Sequence, residues 1–176
     1  MKIIVLLLCQ LFLSSCSTTS AISAFLEIDH NKSDKVIIFD EKIDPIVTIS
    51  ILQGRNFHQK QLPSTKYYTW QEIEQLKSQH SKQQMQVWEV KDFLPSKVKV
   101  ISMPSSPLSS QYGRNSSDSV YYKFSEPILS ENKKTVSFYV AKEKRFGATL
   151  LSEVVVMQKI NGVWQIVERL ESLDLN

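Results

Sequence analysis

Glycine is scarce, with four in 176 residues. Gly-rich loops that cradle phosphates are therefore close to excluded. Cysteine is scarcer still: Cys9 and Cys16 are the whole supply. Cys9 lies in an apolar leader, so a processed chain keeps Cys16 alone. That excludes an internal disulfide, and a modified Cys16 leaves no thiol nucleophile or Cys-based metal site. The three histidines, His30, His58 and His80, form no His-x-x-x-His pair and no HExxH motif. There is no Gly-x-Ser-x-Gly elbow. The formal net charge of +3 is too small to argue for nucleic acid, and no block of like charge stands out. No apolar run reaches the roughly 20 residues that span a bilayer. Metal ligands, a cofactor and nucleic acid are all unexpected.

What is present begins at the N-terminus. Met1-Lys2 is followed by an apolar stretch from Ile3 to Leu13, broken only by Gln10. One positive charge and about ten apolar residues make the n- and h-regions of a secretory signal. The next residues are Leu13-Ser14-Ser15-Cys16. This tetrad resembles the bacterial lipobox. The resemblance implies that Leu13, Ser14 and Ser15 are read by the signal peptidase. Cys16 then becomes the first mature residue and carries a thioether-linked diacylglycerol, and its amine can be acylated as well. Two or more chains make membrane anchoring stable. Ser17 follows the cysteine, where an Asp is absent; in Gram-negative lipoproteins that pattern goes with sorting to the outer membrane. The alternatives are an ordinary secretory cut near Thr19-Ser20-Ala21 and an uncleaved helix. The small polar residues over 16–24 read as a flexible tether, and residues 25–176 as a single domain, long enough for a real core.

Within that domain, Lys35–Phe39 and Ile46–Leu52 are rich in β-branched residues and read as strands. Asp44-Pro45 between them reads as a turn. Thr69 followed by Glu72 is a capping box, so a helix should run from there to about Gln84. Ile73, Leu76 and His80 share one face of it. Met85–Val90 is a strand or the end of that helix. Residues 97–103 are a strand with Val98 and Val100 inward. The Ser- and Pro-rich residues 104–119 read as a long loop, and Lys142–Arg145 as a solvated one. Val120, Tyr122 and Phe124 alternate onto one face, as do Val136, Phe138 and Val140. Residues 131–134 turn between these segments.

Asn161-Gly162 between two β-rich runs is a strong hairpin signal, because both positions need positive φ. The turn sets a register: Ile160 opposite Val163, Lys159 opposite Trp164, Met157 opposite Ile166, Val156 opposite Val167, Val155 opposite Glu168, Val154 opposite Arg169. The hairpin is apolar on both faces, so both should be covered, one by the Thr69 helix and the other by N-terminal strands or a curled edge.

Candidate chemistry is sparse. His80 borders an apolar helix face, and Glu153 and Glu168 fall near each other in this register. These are the residues an envelope hydrolase would have to use. His30 and His58 sit in polar loops. The aromatic residues Tyr67, Tyr68, Trp70, Tyr121, Tyr122, Phe138 and Tyr139 read as core and core edge, or else as a ligand groove.

Two motifs in the last third carry a resemblance. Ser125, Pro127, Ile128 and Ser130 form Ser-x-Pro-Ile-x-Ser; Lys159, Asn161, Gly162 and Trp164 form Lys-x-Asn-Gly-x-Trp. This pattern is similar to a β-meander found in uncharacterised bacterial lipoproteins. Many of those carry a Cys- and Gly-rich loop between the strands, where this chain has KEKRFGATLLSE. The resemblance implies a fold tendency and an envelope location, and no activity. The expectation is thus an α+β domain: a mostly antiparallel sheet ending in a meander and hairpin, with one main helix on it. Its expected role is a non-catalytic binding module, of immunity or inhibitor type in one version, held at the outer membrane and facing an envelope protein or small ligand. A hydrolase and a purely structural lipoprotein are the alternatives.

Overall fold

A computed structural model describes residues 18–30, 35–54, 64–81, 87–93, 98–102, 119–143 and 149–171. Seven strands form one sheet: β1 (Lys35–Phe39), β2 (Lys99–Ile101), β3 (Ser119–Phe124), β4 (Ile128–Leu129), β5 (Thr135–Glu143), β6 (Thr149–Ile160) and β7 (Val163–Glu171). Their spatial order is β2-β1-β3-β5-β6-β7, with β4 also paired to β5. β1 runs parallel to β2 and β3, and every other pairing is antiparallel. Among the described residues, three α-helices and a short 3-10 helix (Val90–Phe93) complete it: α1 over residues 18–29, α2 (Pro45–Gln53) and α3 (Trp70–His80). The class is α+β, with the C-terminal hairpin in place. The α-helices number three because two segments read otherwise from sequence are helical.

The first is the expected tether. From residue 18 it is helix, and Ala21 and Ile22 are fully buried. Ala21, Ile22, Phe25 and Leu26 recur at helical spacing and pack on Val136, Phe138, Val140, Val155 and Met157. The small polar residues Thr18, Thr19, Ser20 and Ser23 around it disguise this stripe in the sequence. Each large apolar side chain buried this way stabilises by about 1.5–3 kcal/mol. This face of the sheet is therefore covered by α1, and not by N-terminal strands.

The second is Ile46–Leu52, expected as a strand. It belongs to α2, whose N-cap is Asp44: its carboxylate accepts from the Ile46 amide at 2.8 Å. Pro45 occupies the first helical turn, where its missing N–H costs nothing. The dipeptide read as a turn is thus a helix start. Thr48, Ile49 and Leu52 are buried against the second face of the sheet. There α2 meets α3, which has the expected capping box: the Glu72 amide donates to Thr69 Oγ1 (3.2 Å) and the Thr69 amide to Glu72 Oε2 (2.8 Å). Ile73 and Leu76 are its buried residues. The helix ends at His80, earlier than expected.

Besides a register shift between Lys142 and Glu143, two β-bulges decide which side chains meet. Phe124 pairs with Val140, but Ile128 pairs with Ser137, so one extra residue is inserted around Ser125–Pro127. The Tyr139 amide then points at two buried hydroxyls, Ser125 Oγ (2.9 Å) and Thr48 Oγ1 (3.0 Å), which bond each other at 2.8 Å. Ser130 closes the following turn, with Lys133 at φ 56°. The second bulge lies in β7. The expected register holds from Ile160–Val163 to Met157–Ile166. It then slips, so Val156 faces Glu168 and Val155 faces Arg169. Val167 is the extra residue, so the expected pairs Val156–Val167, Val155–Glu168 and Val154–Arg169 do not form.

Removing one of the two hydroxyls leaves the Tyr139 amide the other. Thr48→Val or Ser125→Ala should each cost about 1 kcal/mol. The double variant orphans a buried amide and should lose more than the sum, a coupling readable from urea midpoints.

Candidate functional site

Two isolated bridges, Glu41 to Val87 and Ile43 to Ser125, clamp the chain on either side of Lys42. Three distant segments meet there, and Trp88 and Glu126 follow the bridge partners directly. The Trp88 amide donates to Asp40 O (2.7 Å), and its indole Nε1–H donates to Phe124 O (3.3 Å). The ring is thereby held flat under Lys42, whose Nζ lies 4.3 Å from its centroid. The same ammonium pairs with Glu126 Oε2 at 3.4 Å. Lys42 is 8% exposed, unusual for a lysine. Burial is tolerated because the ring face and the carboxylate replace water.

This group forms a wall of a cavity of about 220 Å³ that Thr18, Thr19 and Glu89 also line. Glu89 is ion-paired with Lys91 at 2.7 Å on the rim. Such a space is below the ~300–1,000 Å³ of ordinary small-molecule pockets. It suits a partner's side chain or a small polar group better than a whole cofactor. Its hydroxyls and carboxylates offer hydrogen bonds, and Trp88 offers a cation face that Lys42 already occupies. Among the described residues no cluster of His, Cys, Asp or Glu could hold a metal.

A second charged cluster lies at the C-terminal end of α1. Asp29 accepts from Lys142 Nζ (2.9 Å), Arg169 Nη2 (3.2 Å) and the Tyr122 hydroxyl (3.2 Å). Arg169 also bonds Glu153, which is 2% exposed. Burial is the largest influence on Asp29 and opposes its charge. The hydrogen bonds and charges of Lys142 and Arg169 together outweigh it and hold the carboxyl below its ordinary range. The charges balance and the cluster joins α1 to β3, β5, β6 and β7, so its role is a clasp. Lys142, expected in a solvated loop, is part of β5 and of this clasp.

The residues a hydrolase would need are not brought together. Glu168 bonds Thr65 on the α2 face, while Glu153 pairs with Arg169 on the α1 face. The β7 bulge separates them. His80 ends α3 and does not line the cavity. His30 follows α1, its amide bonding Leu26 O (3.1 Å). Tyr68, Tyr121, Tyr122, Phe138 and Tyr139 are buried core. Lys42, Trp88 and Glu126 carry no spacing signal in the sequence, since only the bridges unite them. Cys16, Leu13, Ser14, Ser15, His58 and most of the 104–119 segment lie outside the described residues. No helix among the described residues is long and apolar enough to cross a membrane. No family model, curated protein or solved structure matches this chain.

Two outcomes test the site. Lys42→Met keeps the stem and removes the charge; it should cost about 0.5–2 kcal/mol, the worth of a cation over an aromatic face, measured by urea unfolding. Asp29→Asn should cost about 1.5–3 kcal/mol at pH 7, as for hydrogen bonds to a charged group. Because the folded Asp29 titrates below its ordinary 3.8, its stabilisation is complete above that value and lost as pH falls through the folded one. The gap between wild type and variant should therefore narrow in unfolding curves taken below pH 3.8.

Proposed function

We propose that this chain is a lipid-anchored protein of the cell envelope, acylated on Cys16 and held at the outer membrane, whose domain is a non-catalytic binding module. The observation that carries the anchor is where α1 starts. Helix begins by Thr18, and Trp164 Nε1–H donates to Ser20 Oγ at 2.9 Å. A secretory cut near Thr19-Ser20-Ala21 would remove the first turn of α1 and that acceptor. A cut before Cys16 leaves both intact, which favours the lipobox reading.

Thr18 is two positions past Cys16. At most ~3.6 Å per residue separates them, so the anchored domain would sit against the membrane. The cavity beside Thr18 and Thr19 would then open near the lipid surface, within reach of an envelope protein or a small polar ligand.

The intact mass of the membrane-extracted protein decides the anchor. Diacylglyceryl mass on a chain starting at Cys16, absent from Cys16→Ala, is the expected result; an unmodified chain starting later refutes it. The binding role is read by a photo-crosslinking residue at Val87 on the cavity rim, in living cells. A reproducible adduct that weakens in Lys42→Met is expected, and a bare chain in every growth condition would sink the module.

A further inference from the structure

The end of the sheet nearest the start of α1 has a surface composition of its own. The Ser20–Trp164 hydrogen bond puts the β6–β7 hairpin tip beside the first turn of α1. The Lys159 amide donates to Lys134 O (2.9 Å), so the turn between β4 and β5 lies next to that tip. Three lysines, Lys133, Lys134 and Lys159, are exposed there. None of them pairs with a carboxylate among the described residues. Lys159 instead lies over the Trp164 ring, 5.7 Å from its centroid. Glu131 is the one acidic residue in these two turns. The next rung of the hairpin, on its opposite face, is a cross-strand pair of aliphatic side chains, Ile160 (37% exposed) and Val163 (62% exposed).

We infer that this end is a membrane-docking surface: the β6–β7 tip rests on a bilayer with anionic headgroups, Ile160 and Val163 entering the interface while Lys133, Lys134 and Lys159 meet phosphates. The inference rests on the anchor reading, since lipid on Cys16 would hold this end at the bilayer. Charge selects the occupant. Clustered lysines at the same end as an exposed aliphatic pair match an anionic lipid surface, where each basic residue contributes favourably. An envelope protein bound there is the rival that the test separates. Docking of the tip would stand the strands upright and leave the Asp29 end of α1 away from the lipid.

The experiment uses the membrane-extracted protein with Val163→Cys or Ile28→Cys, each labelled with an environment-sensitive fluorophore. Ile28 is exposed near the far end of α1. The lipidated chain has no other thiol. Proteins are reconstituted by their own lipid into phosphatidylethanolamine vesicles, with and without phosphatidylglycerol, carrying spin-labelled quencher lipids. The Val163 probe should be quenched and blue-shifted in the anionic vesicles, and the Ile28 probe unaffected. Lys133→Gln/Lys134→Gln/Lys159→Gln should lower the docked-to-undocked ratio about fivefold per lysine, on the order of a hundredfold together. If mass shows lipid on Cys16 yet the Val163 probe stays as wet as the Ile28 probe, the docking surface is refuted and the anchor stands. If the chain proves unlipidated, the anchor fails separately. The labelled protein, with Cys16→Ser where that thiol is retained, is then added to phosphatidylglycerol vesicles; quenching upholds the surface and its absence overturns it.

Discussion

The apolar stripe of α1 is the part on which the rest of the architecture depends. Ile22, Phe25 and Leu26 cover Val155, Met157, Phe138 and Val140, residues that would otherwise form a wide exposed patch on two adjacent strands. A patch of that kind marks an interface or an aggregation hazard. Phe25 stands at the centre, edge-on to Tyr122, Phe124 and Phe138, with centroids 6.5, 6.1 and 5.5 Å away. Because α1 starts just past the candidate anchor, the same helix that completes the core also sets which end of the domain a lipid would hold.

The helix is tied at both ends by polar contacts of different kinds. At its start, Ser20 accepts from Trp164. At its end, Asp29 joins Lys142 and Arg169. The second tie exists because of the β7 bulge. Without the extra residue at Val167, Arg169 would face Val154 on the α2 side, and Glu153 would lose its guanidinium. One inserted residue thus turns a register slip into charge neutralisation. Arg169 also lies over the Phe25 ring at 5.6 Å, so its stem packs where its head bonds.

The Ser125 bulge does comparable work on the other face. A serine and a threonine far apart in sequence supply the acceptor that a displaced strand amide needs. The residues after it, Glu126 and Pro127, leave the ladder and line the cavity beside Lys42. The Ser-x-Pro-Ile-x-Ser motif therefore has a structural meaning in each of its parts. Ser125 satisfies the bulge, Pro127 lies in the break between β3 and β4, Ile128 fills the α2 core, and Ser130 closes the turn.

Local chemistry sufficed wherever one element could be recognised from its own residues. The capping box at Thr69, the alternation of Val120, Tyr122 and Phe124, and the Asn161-Gly162 turn with the pairs Ile160–Val163, Lys159–Trp164 and Met157–Ile166 were all legible, because each rests on neighbours in sequence. Three things were not. Ile46–Leu52 is apolar throughout, and a short apolar run has no period that separates strand from helix; the sheet face below it and the Asp44 cap decided. In α1 the four buried apolar residues Ala21, Ile22, Phe25 and Leu26 stand among serines and threonines, and only a partner surface reveals them as a stripe. The bulges, and with them the pairing of Arg169 with Glu153, 16 residues away, and of Lys42 with Glu126, 84 residues away, follow from contacts between distant segments, which no local pattern encodes. The sequence by itself determined the α3 start, the alternating strands of the C-terminal third and the Asn161-Gly162 turn. Tertiary packing decided which side chains meet, because an inserted residue costs little locally and reverses the face of everything beyond it.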